Sequence, residues 1–301
     1  MRVPGRKRAS AVSRWTRSRF GSRALVLGYH RVADEAPDPF GMCVRPELFE
    51  KHLAAIRRYA RPIRLSELVA NGENGKPLSG CVAVTFDDGY ADVLSAAKPA
   101  LERYEVPATV FVATGFIGGR FWWDELAAHD TPVSRKEYRR LRSLSGAELR
   151  EALNTRLASI SERGDDARGS KSGEAPRALR EDEIGTLVSG GLVEIGAHTV
   201  SHPLLTGLPS GRQREEIEGS RATLERLTAQ RITTFAYPFG DYDSAVVGRV
   251  REAGYECACT SRSDVVRRDS PAHELPRMWP SHRGSQDFIR WLRRWLGDLR
   301  G

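Results

Sequence analysis

A chain of 301 residues with 40% hydrophobic and 29% charged side chains has an ordinary globular composition, long enough for one large α/β domain or two small ones. Its net charge of +8 is uneven: nine basic side chains (Arg2, Arg6, Lys7, Arg8, Arg14, Arg17, Arg19, Arg23, Arg31) and no acid fall in the first 31 residues, leaving about −1 for the rest. That distribution argues against a nucleic-acid partner, which needs basic residues across a folded face, and the lack of any apolar run of about 18 residues argues against a transmembrane helix.

In chain order, residues 1–22 are expected to form a basic, flexible arm. Arg14, Arg17 and Arg19 interrupt residues 9–20, so no secretory h-region is expected. Residues 23–32 are a short apolar run ending in polar residues, as a buried strand does. Residues 46–59 open on Pro46 and carry Leu48, Phe49, His52, Leu53 and Ile56 at helical spacing. Residues 81–86 (CVAVTF) are a second strand, ending in Asp87-Asp88-Gly89, and a helix is predicted over 91–104. Further strands are predicted at 108–113, 193–197, 232–236 and 255–260, with a seventh at 275–279. Helical patterns lie at 212–227, 244–253 and 285–299. Strand and helix alternating in this way predict parallel β/α units, closed into a barrel or left as an open sheet. Residues 131–180 break the rhythm. They are charged and helix-prone around a Gly/Ser/Asp-rich centre at 164–173, and are expected to be a partly disordered insertion within a domain spanning 23–301.

Cys43, Cys81, Cys257 and Cys259 form no CxxC pair, so reduced thiols in a cytoplasmic protein are expected rather than a disulfide or zinc ribbon. In the last helix, Phe288, Trp291, Leu292, Trp295 and Leu299 share a face, with Arg290, Arg293, Arg294 and Arg300 around it. That face either docks on the barrel or, with the basic arm, makes a peripheral contact at the inner face of a membrane.

Three motifs close predicted strands, where a β/α barrel builds its active site. In Thr85-Phe86-Asp87-Asp88-Gly89-Tyr90 two adjacent carboxylates face different surroundings, because neighbours in a strand point to opposite faces; a plain Asp-Gly turn would read the same. In His198-Thr199-Val200-Ser201-His202-Pro203 the imidazoles converge if the segment turns. With a carboxylate from elsewhere they make a three-ligand set with an open position, the layout of a catalytic metal site; two surface histidines are the alternative. Phe235-Ala236-Tyr237-Pro238-Phe239-Gly240 is a fixed turn that could aim a backbone N–H at a reacting oxygen, or simply end a strand. Trp122 and Trp123 follow the third strand, and either one could stack on sugar or pack into the wall.

These motifs resemble the polysaccharide deacetylase family, carbohydrate esterase family 4. TFDDGY and HTVSHP match its first two motifs in order, and PATVFVATGFIG, GGLVEIGAHT, FAYPFGDYD and EAGY match its typical text, so the resemblance covers residues 24–279. It implies a distorted (β/α)7 barrel that removes acetyl groups from an N-acetylated glycan. By position Asp87 resembles the catalytic base. Asp88, His198 and His202 resemble the ligands of one divalent metal ion, usually Zn2+ and in some members Co2+ or Ni2+, and the Phe239 N–H resembles an oxyanion donor. Two places depart from the family. Ala236 stands where an arginine usually orients the base, and Arg277, in Leu275-Pro276-Arg277, resembles the substitute of one branch. The late histidine motif is not clear. His30, in Gly28-Tyr29-His30-Arg31, resembles the Tyr-His start of poly-N-acetylglucosamine deacetylases and is favoured over His282 as the acid. The competing expectations are hydrolysis of an O-acetyl ester or another C–N amide on the same residues, and an inactive barrel that only binds.

Overall fold

The computed structural model describes residues 23–34, 38, 40–128, 134–144, 146–161, 176–280 and 283–296. The expected arm at 1–22, the centre of the insertion at 164–173 and His282 lie outside them.

The chain runs β1 (Arg23–Tyr29), β2 (Arg31–Val32), β3 (Cys43–Val44), α1 (Pro46–Tyr59), β4 (Arg61–Pro62), α2 (Leu65–Glu73) and β5 (Cys81–Phe86). A wide π turn (Val93–Ala97) leads into α3 (Lys98–Tyr104), followed by β6 (Ala108–Val112) and α4 (Trp122–Ala127). Next come α5 (Arg135–Leu141), α6 (Gly146–Ser161), α7 (Glu181–Val188), β7 (Val193–Ala197) and α8 (Ser210–Thr228). The chain continues through β8 (Thr234–Ala236), α9 (Ser244–Glu252), β9 (Cys257–Cys259), β10 (Val266–Arg267) and α10 (Ser285–Leu296).

The main sheet has the order β10-β1-β5-β6-β7-β8-β9. From β1 to β9 every neighbour is parallel, and β10 pairs antiparallel with β1. The strands are apolar on both faces, as a sheet buried on both sides requires. Alternation sorts them into two layers. Val26, Ala83, Phe111, Ala236, Cys257 and Cys259 pack in one cluster, which also takes in Leu65, Leu68 and Val69 of α2. Leu25, Leu27, Val82, Val84 and Val110 face the other way, onto helix side chains such as Phe49, Leu53, Ile217 and Leu224.

The predicted seventh strand at 275–279 does not form a ladder. Single parallel bridges join Cys259 to Leu275 and Leu27 to Met278, carried by Leu275 N donating to Ala258 O (2.9 Å) and Met278 N donating to Val26 O (2.8 Å). The segment changes partner from β9 to β1 within four residues, too short a stretch for a strand, yet it curls the sheet into a distorted barrel. Its passage depends on Gly28: a Cβ there would lie 2.6 Å from the Trp279 ring.

The insertion, where described, carries the helices α5 and α6. The last helix docks: Phe288, Leu292 and Leu296 are buried, and Phe288 stacks on His52 of α1 at 4.1 Å. No helix among the described residues is long and apolar enough to cross a membrane.

Candidate active site

The sequence motifs meet at the C-terminal ends of the parallel strands. β5 delivers Asp87 and Asp88, both buried. The Asp87 N–H still donates to Tyr29 O of β1 at 2.9 Å, whereas Asp88 turns into the left-handed region at φ 71°. This break sends the two carboxylates to different neighbours.

Asp87 faces Arg277, which is 1% exposed. The guanidinium clamps it bidentately, with Nη1 to Oδ1 at 2.5 Å and Nη2 to Oδ2 at 2.7 Å. Arg277 Nε donates to Thr260 O at 2.9 Å, and Nη1 also reaches Thr85 Oγ1 at 3.3 Å. Its Cζ lies over the Trp279 ring, 4.8 Å from the centre. Fork geometry of this kind fixes a carboxylate in direction as well as charge. Burial by itself would raise the Asp87 carboxyl. The Arg277 charge, with His198 and His30 nearby, outweighs burial and holds it below the usual carboxylate range, so Asp87 is ionised. Arg277 is thus the buried cation that pairs with Asp87.

Asp88 faces the histidines. Its Oδ1 lies 3.6 Å from His198 Nε2 and 3.3 Å from His202 Nε2, and the three ligand atoms fall within 4.8 Å of one another. His198 Nδ1–H donates to Ala236 O at 2.7 Å, an assignment that leaves the Nε2 lone pair on the Asp88 side. Burial pushes this imidazole down to about 4, so it is neutral near pH 7. The His202 ring is instead held by packing, between Trp123 at 5.0 Å and Phe239 at 4.5 Å; its buried Nδ1 has no hydrogen-bond partner. A buried carboxylate with two imidazoles is a donor set suited to a divalent metal ion.

The convergence of the two imidazoles is strained. Thr199 (φ 66°) and His202 (φ 56°) are left-handed, as is Phe239 (φ 56°); such residues cost on the order of 1 kcal/mol or more each. Glu216 of α8 stabilises the turn. It is buried and accepts from Val200 N at 2.8 Å, Ser201 N at 2.7 Å and Ser201 Oγ at 2.6 Å. Thr199 Oγ1 adds a bond from His202 N at 3.0 Å. Neither Glu216 nor Thr199 is singled out by the sequence motifs, although Glu216 carries a readable signal. It lies on the same α8 stripe as Gln213, Ile217, Ser220 and Leu224, all buried, where a charge needs partners.

His30 follows β1 directly and stacks on Trp279 at 5.2 Å, on the rim that carries the two aspartates. Phe239 sits in a tight turn closed by Gly240 N to Tyr237 O at 2.9 Å and Asp241 N to Pro238 O at 2.9 Å. Trp122 and Trp123 are both buried, so neither offers a face to a sugar. Trp123 Nε1 donates to Tyr90 Oη and Tyr90 Oη to Asp124 Oδ2, both at 2.8 Å, a buried network that braces the wall behind His202.

The profile of the family described as "Polysaccharide deacetylase" matches residues 74–258. The chain is 22% identical over 258 residues to a poly-β-1,6-N-acetyl-D-glucosamine N-deacetylase of Escherichia coli K12, a match that covers 84% of this chain and 36% of that protein. It is 21% identical over 280 residues to the enzyme of the same name from Staphylococcus epidermidis, covering 89% and 82%. Among solved structures, IcaB from Ammonifex degensii superposes with a TM-score of 0.65 at 21% identity, over 91% of this chain and 98% of that one.

Proposed function

Because the chain belongs to the polysaccharide deacetylase family, we propose that it hydrolyses the acetamide of an N-acetylated sugar, leaving a free amine and releasing acetate. One observation carries this reading. An ionised Asp87, clamped by Arg277, stands on the same strand end as the buried Asp88–His198–His202 donor set.

Asp88, His198 and His202 would hold one divalent ion. Their mixed imidazole and carboxylate chemistry suits Zn2+, with Co2+ or Ni2+ as alternatives. When bound, such an ion supplies Lewis acidity to the acetyl oxygen and lowers the pKa of water. Asp87 takes a proton from the attacking water as the water oxygen closes on the acetyl carbon. Arg277 keeps that carboxylate ionised and aimed. The Phe239 N–H donates to the oxygen that gains negative charge. His30 protonates the departing nitrogen as the C–N bond breaks, so the products are acetate and amine. The relatives reported above are named for poly-β-1,6-N-acetyl-D-glucosamine, which makes that polymer the first substrate to try.

Asp87→Asn tests the assignment. It is expected to bind zinc like the wild type and to lose about 10²–10⁴-fold in kcat for acetate release from N-acetylglucosamine oligomers, the usual worth of a general base. Metal lost from Asp87→Asn but kept by Asp88→Asn would reverse the roles of the two carboxylates. Acetate released from O-acetyl esters but from no acetamide would move the chemistry to an esterase.

A further inference from the structure

The insertion helix α5 is not needed to build the barrel, yet it reaches the site. It presents Tyr138 and Arg142 one turn apart, with the Arg142 N–H donating to Tyr138 O at 3.1 Å. Tyr138 packs on Trp122 at 5.4 Å, and Trp122 on Trp123 at 5.3 Å. Trp123 lies against His202, and His202 against Phe239. The Arg142 guanidinium lies over that same Phe239 ring, 5.3 Å from its centre. Tyr138 of α5 and Arg142 at its C-terminal cap therefore hold both ends of an aromatic chain that passes through His202, and one ring separates the Arg142 cation from the donor set.

Arg142 is under-used by the protein. Its Nε is buried with no hydrogen-bond partner, and among the described residues no carboxylate pairs with it. A guanidinium keeps its charge at any working pH, and a partly desolvated, unpaired cation is costly. A neighbouring phenyl face holds the fork in one plane without satisfying its N–H groups. An anionic oxygen does satisfy them, with charge-assisted bonds stronger than those to a neutral hydroxyl.

We propose that Arg142 is a specificity-determining residue, taking a carboxylate or phosphate carried by the N-acetylated sugar whose acetamide lies at the Asp88–His198–His202 set. The proposal rests on the deacetylase reading and adds to it a preference for anionic over neutral N-acetylated sugars.

The test is calorimetric binding to the zinc-loaded protein, with N-acetylglucosamine, N-acetylglucosamine 1-phosphate and N-acetylmuramic acid as probes. The two anionic probes distinguish a phosphate from a carboxylate. The wild type is expected to bind at least one of them about tenfold or more tightly than the neutral sugar, the worth of a charge-assisted bond. In Arg142→Ala that ratio should fall to within about twofold, while Arg142→Lys should keep part of it. Arg142→Gln, which preserves the bulk over Phe239, gives the same reading should the alanine variant prove unstable. Equal affinity of the wild type for charged and neutral sugars would overturn the proposal, and so would a preference that survives Arg142→Ala. Binding is read without acetate release. Anionic sugars held through Arg142 with no acetate from any substrate would sink the deacetylase reading and leave this one standing.

Discussion

Asp87 and Arg277 are far apart in sequence, and each is isolated from water. Two charges buried in this way are held by their mutual fit, and removing one partner leaves the other uncompensated. Arg277→Met is therefore expected to lower kcat far more than it changes KM, since it leaves the substrate contacts in place but frees Asp87 to take up a proton and turn. Steady-state kinetics on an acetylated oligomer decide this; an unchanged kcat would show that the clamp has no part in turnover. The buried carboxylates and imidazoles that the fold brings together are legible as motifs that close apolar strands, although Asp-Asp-Gly alone reads equally as a turn. Arg277 was legible through the departure at Ala236. The tryptophans were not: a Trp-Trp pair reads the same whether its rings face a sugar or, as here, a buried Tyr90–Asp124 network. His202, held by packing with its Nδ1 unpartnered, likewise has surroundings that no local motif reveals.

Elements position these residues. The turn between His198 and His202 is strained at both ends, and Glu216 from α8 ties its two middle N–H groups. Glu216→Ala is expected to weaken zinc binding by about 10–100-fold, the usual effect of losing a supporting contact around metal ligands. Glu216→Gln, which retains acceptor oxygen, should lose much less. Competition with a chromogenic chelator measures both. Equal zinc affinity in the wild type and Glu216→Ala would mean that the turn holds its shape unaided. The docking of α10 on α1 gives a second expectation. His52 is fully buried and accepts from Tyr29 Oη through Nδ1 at 3.1 Å, while its Nε2–H donates to Arg283 O at 2.8 Å. Burial, opposed by the Arg283 bond, lowers its pKa from 6.5 to about 4. A folded-state pKa below the unfolded value gives stability that is full above pH 6.5 and is lost as pH falls towards 4, at most a few kcal/mol. His198 titrates in the same window, so a difference is the proper measure. His52→Gln, neutral throughout, should lose less stability than the wild type between pH 7 and pH 5 in urea melts, and parallel losses would contradict the assignment. Periodicity foretold β1, β5, β6, β7, β8 and β9, and α1, α8, α9 and α10, to within a few residues. It missed the two-residue strands β3, β4 and β10 and the short helices α2, α4 and α7, and it overstated residues 275–279, where two single bridges replace a ladder.

At the scale of the whole molecule, a parallel sheet curled into a distorted barrel brings residues from β5, the β7 end and the 275–278 segment to one rim. The alternation of strand and helix in the sequence announced that architecture, and the family profile over residues 74–258 agrees with it. Less legible was the part played by the insertion: a charged, helix-prone composition does not foretell that Tyr138 of α5 packs on Trp122 in the aromatic wall of the site. The measurement that tests the proposed activity most directly is acetate release from N-acetylglucosamine oligomers by the purified protein, before chelation, after exhaustive chelation, and after zinc is returned. A metal-dependent N-deacetylase releases acetate when metal-loaded, none after chelation, and recovers on adding zinc; undiminished acetate release from protein shown to be free of metal would rule out a metal-dependent reaction.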